Sequence, residues 1–236
     1  MSALVKSKIE NQKSKLLLAV WFTVKGDLRF LSHRNMMTLC ERAAARAGLP
    51  IRFSEGFNPR PKLSLSLPRP VGVTSQCELL TIRLEHDSAI PSKSDLARRL
   101  GEQFPDGMEL IKVELLPDKT MIRIKKVTYE LAMTDSEQRR VKARLASLKH
   151  SPEWEVPRRR SPTGDKPEEF VDIKGQIGNI GILPGRRKEG RLSFTLAPTG
   201  DAGPIGPERV LRLLGLTDVT ETIAELKKTT LECIFY

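Results

Sequence analysis

The order of apolar and polar positions predicts strands alternating with helices. Leu16 to Val24 is an almost unbroken run of apolar, β-branched and aromatic residues, as in a buried strand. Gly26-Asp27 breaks that run. Ser32 then offers an N-cap for a helix to about Ala47, closed by Gly48 with Pro50 beyond it. On this helix Met36, Cys40, Ala43 and Ala47 form a stripe expected to face a sheet. Arg34, Thr38, Glu41 and Arg42 take another side, toward solvent or a ligand. Ile51–Ser54 reads as a short strand, with Phe53 expected in the core. Leu63 to Leu67 alternates strictly, the pattern of a half-buried strand with Leu65 turned inward. Leu79–Leu84 is a further strand, Ser92 or Ser94 caps a helix to about Phe104, and Met108–Leu116 is the next strand. The order is β-α-β-β-α-β, the ferredoxin-like pattern.

The same order recurs in the second half. Lys126–Met133 is a strand, and Thr134 or Asp135 caps a helix to about Leu148. Trp154–Val156 and Phe170–Ile173 are weaker strand material, and Leu192–Leu196 is a clear strand. Pro207–Leu214 is a short helix with Pro at its start and Gly215 just past its end, and Thr229–Phe235 is a final strand. The expected architecture is α+β, two tandem ferredoxin-like domains with antiparallel sheets. Residues 1–14 are expected to be a disordered N-terminal segment. Residues 15–118 form the first domain, which carries a basic motif block. Residues 119–236 form the second, with a partly mobile, basic Pro/Gly-rich insertion at about 157–191.

Charge gives this layout a direction. The 236 residues carry 40 Lys+Arg against 29 Asp+Glu, a formal net charge of +11. From Lys25 to Arg69 nine basic residues face three acids, over half of that surplus in under a fifth of the chain. The charge is spread along folded-looking segments, so a positive face is expected rather than a basic tail, and nucleic acid is the first candidate partner. No window supplies the roughly 18 unbroken apolar residues of a membrane helix, so no membrane is expected. Nor does the N-terminal sequence read as a secretory signal, which points to a cytoplasmic protein. Cys40, Cys77 and Cys233 are far apart and odd in number, which excludes a disulfide scaffold and CxxC-type metal spacings. No cofactor and no metal are expected.

The chemistry-bearing residues concentrate in one block. Arg29, Ser32, His33 and Arg34 surround a predicted helix start, where backbone N–H groups and the helix dipole favour an anion, and Arg42 lies further along the same helix. In Asn58-Pro59-Arg60-Pro61-Lys62 each proline restricts its own φ and the residue before it, suiting a rigid display of Arg60 and Lys62. Gly56 permits positive φ or close backbone approach. These residues are candidate RNA- or phosphate-binding groups; the alternative is a turn that merely needs them. His33 could be imagined as a general base in RNA cleavage, but no acid partner or nucleophile pair accompanies it. At 5% aromatic residues the chain has few rings for base stacking. Gly178-Asn179-Ile180-Gly181 lacks the lysine and Ser/Thr of a phosphate loop.

The stretches LRFLSHRNMM, ERAAARAGLP, FSEGFNPRPKLSLSLPRPVGV and CELLTIRLE resemble a bacterial domain of unknown function linked to radical-SAM proteins, either fused to such an enzyme or encoded beside one. The resemblance covers most of the first half and, loosely, GPERVLRLLGL in the second. It implies no established reaction, only a setting in which an RNA-related role is plausible by analogy. This chain lacks the three closely spaced cysteines (CxxxCxxC) that hold a radical-SAM cluster, so it corresponds to the stand-alone form. The expected function is a non-catalytic RNA- or ribonucleoprotein-binding protein, acting in RNA or ribosome modification. The alternative is a protein-interaction or substrate-delivery subunit for a separate radical-SAM enzyme. A metal-independent ribonuclease using His33 ranks last.

Overall fold

The computed structural model describes residues 14–86, 90–157, 170–184, 190–197, 205–216 and 219–236. All but Ser14 of the expected N-terminal segment, and residues 158–169 and 185–189 of the expected insertion, lie outside the described residues. The chain is mixed α+β with mostly antiparallel strands. Its described residues divide into two compact units: 14–68, 78–121 and 235–236 in the first, 69–77 and 122–234 in the second.

In the first unit β1 (Ser14–Val24) is followed by α1 (His33–Arg46), β2 (Leu63–Leu65), the larger part of β3 (Thr74–His86), α2 (Lys93–Gly101) and β4 (Leu110–Pro117). The sheet order is β4-β1-β3, with β2 on β3. β1 and β4 are antiparallel from Leu16 opposite Pro117 to Phe22 opposite Leu110, and β2 meets β3 antiparallel with Leu63 opposite Ile82. The α1 stripe buries Met36, Cys40, Ala43 and Ala47, and Ala44 with them, against Leu18, Val20 and Phe22 of β1 and Leu80, Ile82 and Leu84 of β3. Gly107 closes the turn into β4 at φ +90°, and its carbonyl accepts the Lys25 N–H at 2.8 Å. A Cβ there would stand 2.7 Å from the Lys25 carbonyl oxygen.

The second unit contains β5 (Ile122–Met133), α3 (Asp135–Lys149), β6 (Glu155–Pro157), β7 (Phe170–Asp172), β8 (Ile177–Pro184), β9 (Gly190–Leu196), α4 (Pro207–Leu213), α5 (Val219–Glu225) and most of β10 (Lys227–Phe235). Its sheet order is β10-β5-β9-β8, with β5–β9 and β9–β8 antiparallel; β6 and β7 pair by themselves. Thr134 and Glu137 form a complete capping box at the head of α3. Among the described residues no helix is long and apolar enough to cross a membrane.

Four expectations need correction. β8 lies inside the stretch expected to be an insertion: its glycines read as loop, yet backbone pairing with β9 makes it a strand. α5 has no counterpart in the predicted elements. β2 ends at Leu65, although Ser66 still donates its N–H to the Leu79 carbonyl, and Pro68 soon stops further pairing. Phe53, expected in the core, is half exposed, because its segment belongs to a protruding hairpin and makes only isolated bridges. Leu65 turns toward the core but is only partly buried.

Candidate functional site

All nine candidate residues fall in the first unit, in two groups. The first lies around the start of α1. Ser32 is its N-cap, and its hydroxyl oxygen accepts the Asn35 N–H at 3.2 Å, so that side chain is engaged in capping. His33 and Arg34 occupy the first turn, and Arg42 lies about 12 Å further along the axis. All three side chains are exposed, with no hydrogen bond or ion pair among the described residues. Arg29, in the 3-10 turn before the helix, places its guanidinium carbon 4.8 Å from the centroid of the exposed Phe30 ring, a cation–π contact.

Gly56, Asn58, Arg60 and Lys62 form the second group, in a hairpin between α1 and β2. Ser54 donates its N–H to the Arg60 carbonyl and Lys62 donates to that of Arg52, each at 2.8 Å, with Phe53 bridged to Pro61 between them. The Ser54 hydroxyl also accepts the Arg60 N–H at 2.9 Å. Residues 55–60 are exposed throughout. Gly56 sits at φ +120°, a conformation that side chains resist, while Pro59 and Pro61 restrict the backbone on the returning arm. The hairpin is tied to β3: Arg52 donates its N–H to the Arg83 carbonyl at 2.8 Å, Arg83 to that of Lys62 at 2.9 Å, and Glu85 to that of Pro50 at 2.9 Å.

Side-chain charge anchors the same junction. Asp118, just after β4, accepts Nη1 of Arg52 at 2.8 Å and Nη1 of Arg83 at 2.9 Å, and Arg83 also donates to the Asp118 backbone carbonyl. Burial disfavours the charged carboxylate, but the hydrogen bonds and charges of the two guanidiniums outweigh it and hold Asp118 below its ordinary range. Of the four cations at this junction, Arg52 and Arg83 share Asp118 as ion-pair partner, while Arg60 and Lys62 have none among the described residues. The trio Arg52–Arg83–Asp118 was missed from sequence, where its members stand 66 and 35 residues apart and leave no local signal.

The aromatic residues complete the picture. Phe57 at the hairpin tip is fully exposed, and Phe53 on the arm is 52% exposed. Among the described residues no hydrogen bond or ion pair joins the hairpin to His33 or Arg34, and no cluster of three His, Cys, Asp or Glu side chains could hold a metal ion. Cys40 is sealed beneath α1; burial, and secondarily the charges of Glu78 and Glu41, push its thiol up to about 12.

These features define a basic α+β protein whose distinguishing block is a stiffened hairpin with surplus cations and bare aromatic rings. The chain belongs to a family described as uncharacterized protein conserved in bacteria (DUF2344), whose profile matches residues 18–205. No curated protein matches it. Among solved structures, an unknown protein from Galdieria sulphuraria aligns over 95% of this chain and 98% of its own, at 7% identity and a TM-score of 0.27. A "putative glycine cleavage system transcriptional repressor" aligns over 95% of this chain and 99% of its own, at 9% identity and a TM-score of 0.22. Likenesses this weak carry no argument about fold or function.

Proposed function

We propose that this protein binds RNA or a ribonucleoprotein without acting on it chemically, through the hairpin at residues 51–63. One observation carries the reading: Arg60 and Lys62 stand without ion-pair partners among the described residues on a backbone held by two prolines and a docked hairpin ladder. Cations presented without neutralising carboxylates suit a phosphate backbone, and a stiff scaffold lowers the ordering cost of binding. Arg34 and Arg42 add exposed cations on α1. The His33 side chain has no hydrogen-bond or ion-pair partner among the described residues, so ribonuclease chemistry has the least support.

We also read both units as ferredoxin-like. With the separate β6–β7 pair set aside and the main-sheet strands of each unit numbered from one to four, the orders β4-β1-β3-β2 and β10-β5-β9-β8 are both 4-1-3-2, which supports a tandem arrangement. The motif resemblance supports a radical-SAM-linked setting in RNA or ribosome modification, in the cytoplasm. In the second reading the exposed Phe53 and Phe57 meet a separate radical-SAM enzyme, to which this chain delivers substrate. Affinity recovery from cells with and without nuclease treatment tests the choice. RNA-dependent recovery of partners upholds RNA binding; nuclease-resistant recovery of one radical-SAM enzyme, without crosslinked RNA, overturns it in favour of the second reading.

A further inference from the structure

We propose that the hairpin tip takes unpaired nucleobases, so that the RNA bound at this site is single-stranded. The inference rests on the RNA-binding reading above and narrows it to a substrate class. Phe57 is as open to water as an isolated side chain, and Phe53, four residues earlier on the same hairpin, is half open. Neither ring adds much to the core, and two open aromatic rings on one short hairpin offer flat apolar area for an occupant.

The surroundings select that occupant. An apolar protein groove closing over Phe57 would also have to desolvate Arg60 and Lys62, which have no ion-pair partner among the described residues. An unpaired nucleotide brings what both groups need: a π face for the ring and a phosphate for the cation. In duplex RNA the base faces are hidden in the stack, so the ring would gain nothing and only phosphate contacts would remain. The backbone also favours stacking. Pro59, two residues after the ring, restricts how the tip can reorganise, and a phenyl ring has only two side-chain torsions to order.

The test uses a labelled short single-stranded oligoribonucleotide and the blunt duplex made from the same strand. Binding is followed by fluorescence anisotropy for the full chain, Phe57→Ala, Phe57→Tyr and the Arg60→Ala/Lys62→Ala double variant. The parent is expected to prefer the single strand. Phe57→Ala should weaken binding to the strand about tenfold, leave duplex binding and the salt dependence unchanged, and keep the parental Tm. Phe57→Tyr should restore the strand affinity, since it keeps the ring. If Phe57→Ala binds the strand as the parent does while the double variant loses it, stacking is wrong and RNA binding stands. A parental preference for the duplex, or a loss that Phe57→Tyr does not restore, also overturns the inference. If the parent binds neither probe, the RNA reading itself fails and takes this inference with it.

Discussion

Asp118 bridges Arg52 and Arg83, accepting one at 2.8 Å and the other at 2.9 Å, and so ties the base of the hairpin to the end of β4. Its carboxyl titrates below its ordinary value in the folded chain, so the folded state prefers the ionised form. The stability this supplies is complete above the carboxyl's ordinary value of 3.8 and is lost as pH falls through the lower folded value. Asp118→Asn should therefore flatten the acid limb of a Tm-against-pH curve. At neutral pH it should cost about 1–3 kcal/mol, because two charge-assisted hydrogen bonds are weakened together. The same change unmasks two arginines, so RNA affinity should rise while Tm falls. Equal acid sensitivity in parent and variant would show that the bridge is not linked to folding.

Replacing Arg60 and Lys62 with Ala should leave the fold within about 0.5 kcal/mol per site and weaken RNA binding. Each lost phosphate contact should also reduce the slope of log affinity against log salt by about one unit. Urea melts and salt titrations on the same preparation separate the two effects. Normal binding with an unchanged slope would reduce the loop to a turn. A large drop in stability would make those side chains structural.

Gly107→Ala should destabilise the first unit by about 1–3 kcal/mol, since it adds a Cβ at φ +90° against the Lys25 carbonyl. Gly26→Ala is the internal comparison: φ there is also positive, at +57°, but the added methyl meets nothing within 4 Å. It should cost less, about 1 kcal/mol from backbone conformation alone. Equal costs in denaturant melts would remove the steric part of this account.

Cys40 should resist alkylation in the native protein at neutral pH, because its thiol is sealed and its pKa is pushed up to about 12. The thiol holds its proton more tightly folded than unfolded. Its contribution to stability is thus complete below its ordinary value of 9.0 and is lost as pH rises from there toward 12. Peptide mass mapping after native and denatured labelling reads the first effect directly. Rapid native modification of Cys40 would mean that α1 opens far more often than its packing implies.

The sequence was most legible where local chemistry decides the outcome. Ser32 and Thr134 cap their helices, and Met36, Cys40, Ala43 and Ala47 face the core as their spacing requires. It was least legible where a distant partner decides. β8 is glycine-rich and reads as loop until β9 supplies its hydrogen bonds; at Gly178 even a Cβ would collide with the Thr195 side chain. Phe53 has the residue type of a core strand, but its arm pairs within the hairpin and leaves the ring half in water. The charged loop of the candidate site could be read directly from its prolines and cations. Its anchor could not, because Arg52, Arg83 and Asp118 meet only once the sheet has formed.

The threading of the chain through its two units imposes a schedule on folding during synthesis. Thr74 and Ser75 emerge early, yet their parallel partners Lys227 and Lys228 follow about 150 residues later. The first unit is likewise unfinished until Phe235 arrives to set its ring edge-on to Trp21, 6.2 Å between centroids, and Tyr236 pairs its backbone with Met121. At typical synthesis rates that wait is on the order of ten seconds. Throughout it, the early strands must remain soluble with an unfilled edge, so the chain is most exposed to aggregation until those late partners are made.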